Sequence, residues 1–374
     1  MIGDIIYNDL NDEKRLPCLG NAYPIAEYPE LAAICERVPG TNIDFQSTVS
    51  GISTIATVSY GSAFSPDGQY LAVVHSNSSY FFVLRTSDWS IVSGTPTLAG
   101  VGYGVCFSPD GKYLALAHSS SPYLTVVHTS DWTVVPDTPA LPGLGRGVAF
   151  SPDGQYLATA HYSGLTLLRV SNWSVVSGLP VPSGIAFGVS FSNQGRYLCI
   201  TKLGTANISI IDTSGWVEVS GLPTVGNNAD QASFSPKDDY LAVASQSSPY
   251  LTVIRTSDWS VVSGTPSLPS NAFACDFSPN GEYLAVGHYV TPYLTVIRTS
   301  DWSVVNNIPS IQGVARGVSF SPNNQYLIAA HGSSPCVTAI NVTQDAPTGY
   351  FHVPKIPMQK GINIDYPVLI QAEE

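Results

Sequence analysis

Charged side chains are scarce: they make up only 11% of the 374 residues, with 27 acidic against 15 basic and a formal net charge of −12. That is about half the charged share of an average soluble domain. No basic cluster occurs, so nucleic acid is not an expected partner. No apolar run approaches the roughly 18 residues of a membrane-spanning helix, so no span is expected. The opening MIGDIIYNDLNDEKR is acidic and has no long apolar core, so it is not read as a secretory leader. Cysteine is also sparse, and the six, at 18, 35, 106, 199, 275 and 336, follow no pairing pattern. No CxxC pair or Cys/His cluster occurs, so neither a zinc site nor another cofactor is expected. Cys106 and Cys275 fall where a free buried thiol serves as a small apolar side chain. The spacing of Cys18 and Cys35 leaves a disulfide between them open. Helical periodicity is missing too: no segment of ten or more residues within the repeated part of the chain shows it.

What the sequence has in abundance is repetition. FSPDGQYLAVVH, from Phe64 to His75, returns as FSPDGKYLALAH from Phe107, FSPDGQYLATAH from Phe150 and FSPNGEYLAVGH from Phe277. The anchoring Phe stands at 64, 107, 150, 191, 234, 277 and 320, and the six tryptophans, at 89, 132, 173, 216, 259 and 302, keep the same beat. A period of about 40–45 residues is the signature of propeller blades. Each unit reads as four short strands. In the second, Gly104–Phe107 ends at the turn Ser108-Pro109-Asp110-Gly111; Lys112–His118 and Tyr123–Thr129 alternate, and Trp132–Val135 closes the unit. The prediction is an all-β, seven-bladed β-propeller of four-stranded blades over residues 44–343. The seventh unit lacks a Trp strand. Asp44–Gly51, DFQSTVSG, resembles Asp88–Gly94, DWSIVSG, and each closing Gly lies 13 residues before an anchoring Phe. The N-terminal strand is therefore expected to complete the last blade and protect its edge.

The run SPDGKYLALAH…LTVVHTSDWTVV resembles the YVTN-type and WD40-like repeats of β-propeller proteins, over roughly residues 45–343. The resemblance implies the fold and leaves function open, because propellers host many unrelated activities. Residues 1–43 read as a leader or docking segment. Pro29 suits the first turn of a helix, Leu31, Ile34, Cys35 and Val38 follow at helical spacing, and Pro39-Gly40 ends it. A helix of about ten residues is too short to stand alone and should dock on something. LPCLGNAYPIAEYPELAAI, in the same leader, is similar to bacteriophage tail-collar and tail-fibre domains at Cys18, Gly20, Tyr28, Pro29 and Leu31. The plain alternative is a helical cap under the propeller. Residues 344–374 form an extended, Pro-punctuated arm. Its Ile362, Ile364, Val368 and Ile370 call for cover, by a partner or by the same chain's leader.

Five histidines share one repeat position, His75, His118, His161, His288 and His331, which Lys202 and Ser245 hold in the other units. Each ends the second strand of its blade, well over about 10 Å from its equivalents by strand spacing. No ion bound at roughly 2 Å could be shared, so local hydrogen bonding is expected instead. The informative position lies four residues before each anchoring Phe: Tyr60, Tyr103, Arg146, Phe187, Asp230, Phe273 and Arg316. Gly follows at 61, 104, 147, 188 and 317, and Gln231 and Ala274 in the remaining two. This is the start of the innermost strand, so all seven are expected to line one mouth of the central channel. Aromatic and charged groups there suit recognition of a sugar, peptide or protein; a water-filled channel lining is the plain alternative. No G-x-S-x-G elbow occurs, and Asp230 with Asp276 is the one inward acid pair that a catalytic reading could use.

The functional expectation is a non-catalytic structural or binding module of a bacteriophage virion, tail-associated and present in multiple copies. Residues 1–43 and 344–374 would meet other virion proteins, and the channel mouth a host-surface glycan or protein. The alternatives are a bacterial cell-surface or extracytoplasmic propeller that binds protein or glycan, and a lactonase-like propeller enzyme.

Overall fold

The computed structural model describes residues 57–344 except 181–183 and 205–206, together with 43–50, 52 and short strands at 5–6, 15–17, 22–24, 350–352 and 369–371. The chain divides into two compact units, Ser47–Asn341 and Met1–Gln46 with Val342–Glu374. The first is all β: seven antiparallel sheets of three or four strands, one sheet per repeat. Middle strands such as Tyr113–His118 are buried on both faces from Leu114 onward, as sheets stacked against neighbours on each side must be. The apolar clusters accordingly run from one repeat into the next. Val74, Phe81 and Val83 of the first repeat pack with Leu114, Leu116 and Trp132 of the second.

The fourth strand is shorter than the sequence predicts. In five repeats the Trp-bearing segment makes only a single bridge to the third strand: Leu84↔Ile91, Val127↔Val134, Leu168↔Val175, Ile254↔Val261 and Ile297↔Val304. The reason is the tight Thr-Ser-Asp-Trp turn. All six tryptophans adopt left-handed backbone with φ between 52° and 60°, which costs an L-residue roughly 1–2 kcal/mol. In the first repeat the Trp89 N–H donates back to the Arg85 carbonyl at 2.8 Å. Asp88 Oδ1 accepts from the Ser90 amide and hydroxyl at 3.0 and 2.7 Å, an Asx-type turn. The sharp reversal offsets its strain by sending each indole into the preceding repeat, edge-on to a tyrosine. Trp132 meets Tyr70 at 5.6 Å between ring centres, Trp173 meets Tyr113 at 5.2 Å and Trp302 meets Tyr240 at 5.2 Å. Trp216 and Trp259 make the same contact with Tyr156 and Tyr197 while half-buried.

The last repeat touches the first by the same contacts. Trp89 lies edge-on to Tyr326 at 5.1 Å, and the hydroxyls of Ser62 and Ser319 are 2.8 Å apart. A Cβ on Gly317 would lie 2.8 Å from Gly61 Cα. Strand Ile43–Thr48 is the fourth member of the last sheet; the Val49 amide donates to the Ala339 carbonyl at 2.8 Å and Asn341 Nδ2 to Ser47 Oγ at 2.9 Å.

In the second unit, Ile5–Ile6 and Arg15–Pro17 flank Leu369–Gln371, and Ala22–Pro24 pairs with Tyr350–His352, all antiparallel. The C-terminal arm thus pairs with the leader of its own chain. The helix expected from Pro29 to Val38, and Cys18 and Cys35, lie outside the described residues.

Candidate ligand-binding site

Each innermost strand carries one irregularity, always at the same place. Ser59 pairs with His75 and Gly61 with Val74, so Tyr60 between them has no partner in the ladder. The same shift isolates Tyr103, Arg146, Phe187, Asp230, Phe273 and Arg316. All seven variable residues are therefore the extra residue of a β-bulge, a device that re-aims a side chain out of the pleat. Small neighbours permit it. Ser59, Ala186, Ala229, Ala272 and Ala315 precede the bulge and are buried to 1% exposure or less. The glycines that follow allow adjacent strands to close up: a Cβ on Gly147 would sit 2.9 Å from both Gly188 Cα and the Phe187 carbonyl oxygen.

All seven bulge residues line one cavity of about 190 Å³, with Ser62, Val105, Val148, Val189, Val318 and Gln246 beneath and beside them. Their order is a mirror about Asp230. Phe187 and Phe273 come from the adjacent repeats, Arg146 and Arg316 from the next, and Tyr103 and Tyr60 complete the set. Each guanidinium is held between two rings. The Arg146 Cζ lies 4.5 Å from the centres of both Tyr103 and Phe187. That of Arg316 lies 5.5 Å from Tyr60 and 5.1 Å from Phe273. These are cation–π distances, worth about 0.5–2 kcal/mol each as solvent is excluded. The two tyrosines meet edge-on at 5.0 Å.

Asp230 faces both arginines without bonding to either. Its Oδ1 is 3.9 Å from Arg146 Nη2, and its side chain is 14% exposed. Oδ2 accepts a 2.7 Å hydrogen bond from Gln246 Nε2. Burial raises its pKa above the ordinary carboxylate value, against the hydrogen bond from Gln246 and the charges of Arg146 and Arg316. Burial likewise raises the Tyr103 phenol, against the charge of Arg146.

Sequence reasoning missed Gln246, Tyr162 and Tyr289 at this end of the sheets. Tyr162 lies 6.4 Å from Phe187 and Tyr289 lies 6.3 Å from Phe273. All three directly follow the repeat position of the histidines, and that neighbouring position varies from unit to unit as the bulge position does.

The histidines are used inside their own sheets. Nε2 of His118, His161 and His288 lies 2.9 Å from the hydroxyl of Thr125, Thr166 and Thr295, and that of His331 lies 2.8 Å from Thr338. His75 faces Phe82 where the others face threonine, and its Nε2 has no hydrogen-bond partner. Burial lowers the pKa of His75, His161, His288 and His331 to about 4. Lys202 keeps the pattern by donating to Ser209 Oγ at 2.8 Å. Asp276 does not line the cavity with Asp230. It joins neighbouring strands, accepting from the Phe320 amide at 2.9 Å and from Ser233 Oγ at 3.4 Å. Burial pushes its pKa up to about 7, against these bonds. Cys106, Cys199, Cys275 and Cys336 are free thiols, and among the described residues no group of three or more His, Cys, Asp or Glu is placed to hold a metal.

Among solved structures the chain is similar to hydrazine synthase of Kuenenia stuttgartiensis, with a TM-score of 0.68 and 18% identity over 80% of this chain and 100% of that one. At that identity the likeness speaks to fold, and the fold it supports is a β-propeller. No family model and no curated protein matches the chain.

Proposed function

We propose that the seven sheets form a closed seven-bladed β-propeller, completed by Ile43–Thr48, and that the chain is a non-catalytic binding module. Its recognition surface is the cavity lined by the seven bulge residues. Support for the closed ring comes from the contacts of Trp89 with Tyr326 and of Ser62 with Ser319. One observation carries the binding reading. The bulge position varies strongly within an otherwise uniform repeat, and it brings all seven of its side chains to one cavity. Rings and guanidinium groups at such a mouth are the chemistry of recognition. A hydrolase would use the acid pair differently, since Asp276 is committed to linking strands.

The setting we propose is a bacteriophage virion, tail-associated and in several copies, with the leader and arm meeting neighbouring virion proteins and the cavity meeting a host-surface component. The segment Leu16–Ile34 supports that setting. The binding reading is tested on an array of surface glycans and peptides. The native chain should be retained on a defined subset, and Arg146→Ala with Arg316→Ala should lose it while still unfolding in one cooperative transition, at a lower temperature for want of the ring contacts. Equal retention of the double variant would show that the cavity is only a channel lining. Mass spectrometry of virions purified from the strain that carries the gene tests the setting separately: absence of the chain refutes it.

A further inference from the structure

We propose that the cavity takes an acidic sugar, whose carboxylate sits between the guanidinium groups of Arg146 and Arg316. The inference rests on the binding reading above and specifies its ligand.

The two guanidinium groups are fixed in place by rings, not by acids. Arg146 reaches Asp230 only at 3.9 Å, beyond hydrogen-bond distance. Arg316 is in no ion pair among the described residues, and its Nε is shut off from solvent with no hydrogen-bond partner. A buried donor left unpaired is costly. A single carboxylate thus serves two cations, so this mouth is locally positive in a chain of net charge −12. Both arginines line the cavity, so an anion placed between them would give an acceptor to the guanidinium edges that face it.

The donors and the neighbouring acid together narrow the anion. A guanidinium presents a planar fork that matches a carboxylate or a phosphate through two parallel hydrogen bonds. Phosphate or sulfate would bring a bulkier acceptor, with more oxygens, beside Asp230, the one acid on the cavity wall among the described residues. Asp230 and Gln246 set a second requirement. Their oxygens and amide, joined at 2.7 Å, accept from and donate to hydroxyl groups, which a simple carboxylate does not have. Tyr162 and Tyr289 lie outside the cavity lining, 44% and 52% exposed beside Phe187 and Phe273, where their rings could meet the C–H face of a sugar that extends past the rim. A hydroxylated ring bearing one carboxylate, a uronic or sialic acid, satisfies all three groups together.

Titration calorimetry at neutral pH and low salt, with galacturonate, N-acetylneuraminate, galactose, inorganic phosphate and a glutamate-containing peptide, tests this. At least one of the two acidic sugars should bind, and galactose, phosphate and the peptide should bind at least tenfold more weakly. Arg316→Gln should weaken the acidic sugar tenfold or more, the loss expected for one charged bidentate contact. Asp230→Asn removes the charge facing the ligand and should tighten the same sugar, a gain that a misfolded variant would not give. Galactose binding as tightly as the acids, or unchanged affinity in Arg316→Gln, overturns the carboxylate clamp and leaves the mouth as a binding site. Phosphate or peptide binding at least as tightly overturns the sugar assignment. No binding of either acidic sugar at millimolar concentration overturns the proposal outright.

Discussion

His288 offers a direct measure of how the sheets are held together. It is fully buried and its Nε2 is 2.9 Å from Thr295 Oγ1. Burial lowers its pKa from 6.5 to about 4. The native state therefore favours the neutral imidazole, and the unfolded chain takes up the proton first. The contribution is complete above pH 6.5, falls as pH drops toward 4 and is constant below that. One pH unit is worth about 1.4 kcal/mol, so moving from pH 7.5 to 5 should remove about 2 kcal/mol through this residue alone. His75, His161 and His331 add losses of the same sign. Together they approach the whole stability of a domain, about 5–15 kcal/mol, so acid unfolding is expected to set in above pH 4. The assay is a pair of urea unfolding curves, at pH 7.5 and 5, for the native chain and for His288→Gln, which can still bond to Thr295 but cannot titrate. The variant should lose about 2 kcal/mol less than the native chain between the two conditions. Identical pH dependence in both would refute the assignment of a buried neutral imidazole.

Three further changes test the packing. Trp132→Ala, at a site 8% exposed, should cost about 3–5 kcal/mol, read as a lower urea midpoint; a loss under 1 kcal/mol would mean that the contact with Tyr70 does not join the sheets. Gly147→Ala forces a Cβ against the backbone of Phe187 and Gly188 and should destabilise by about 1–3 kcal/mol, whereas no loss in thermal melting would mean that the strands are not in close contact there. Asp276→Asn addresses a pKa raised to about 7, so its stabilising effect is complete below the ordinary carboxylate value and is lost as pH rises through 7. The variant should be flatter than the native chain between pH 4 and 8 by up to about 4 kcal/mol, and an unchanged profile would count against the raised value.

The repeat made the seven-sheet organisation legible, because residues that recur every 41 or 43 positions must occupy equivalent places in stacked units. The length of the outer strand was not legible. DWSVV has good strand composition, and only the backbone reveals that its Trp takes a left-handed conformation to reach the preceding repeat. The cavity was half legible. Position and variability pointed to Tyr60, Tyr103, Arg146, Phe187, Asp230, Phe273 and Arg316, but the reason that they face inward, a bulge between small residues, does not follow from strand alternation. Gln246 stayed hidden because its serine neighbour, Ser245, breaks the histidine pattern that marks the position elsewhere. The helix expected from Pro29 to Val38 lies outside the described residues.

The bulge also explains how a repeat this uniform can hold a specific site. A residue in the regular ladder has two obligations, since its backbone pairs with the next strand and its side chain fills a shared core. Replacing Leu114 or Val286, both fully buried, disturbs two sheets. A bulge residue is free of the first obligation, because the ladder passes it by, and largely free of the second, because it faces open space. Where glycine follows the bulge, that neighbour carries the restriction instead: it must stay small for the strands to approach. Seven positions can then vary independently while the frame remains intact. The mirror order about Asp230 shows what that freedom holds, with one acid, two phenylalanines, two arginines stacked on rings and two edge-on tyrosines drawn from seven separate repeats. No single unit contains the site; it exists only once all seven sheets are side by side. Substitutions at the bulge should therefore register in ligand affinity, and substitutions at the flanking glycines in stability.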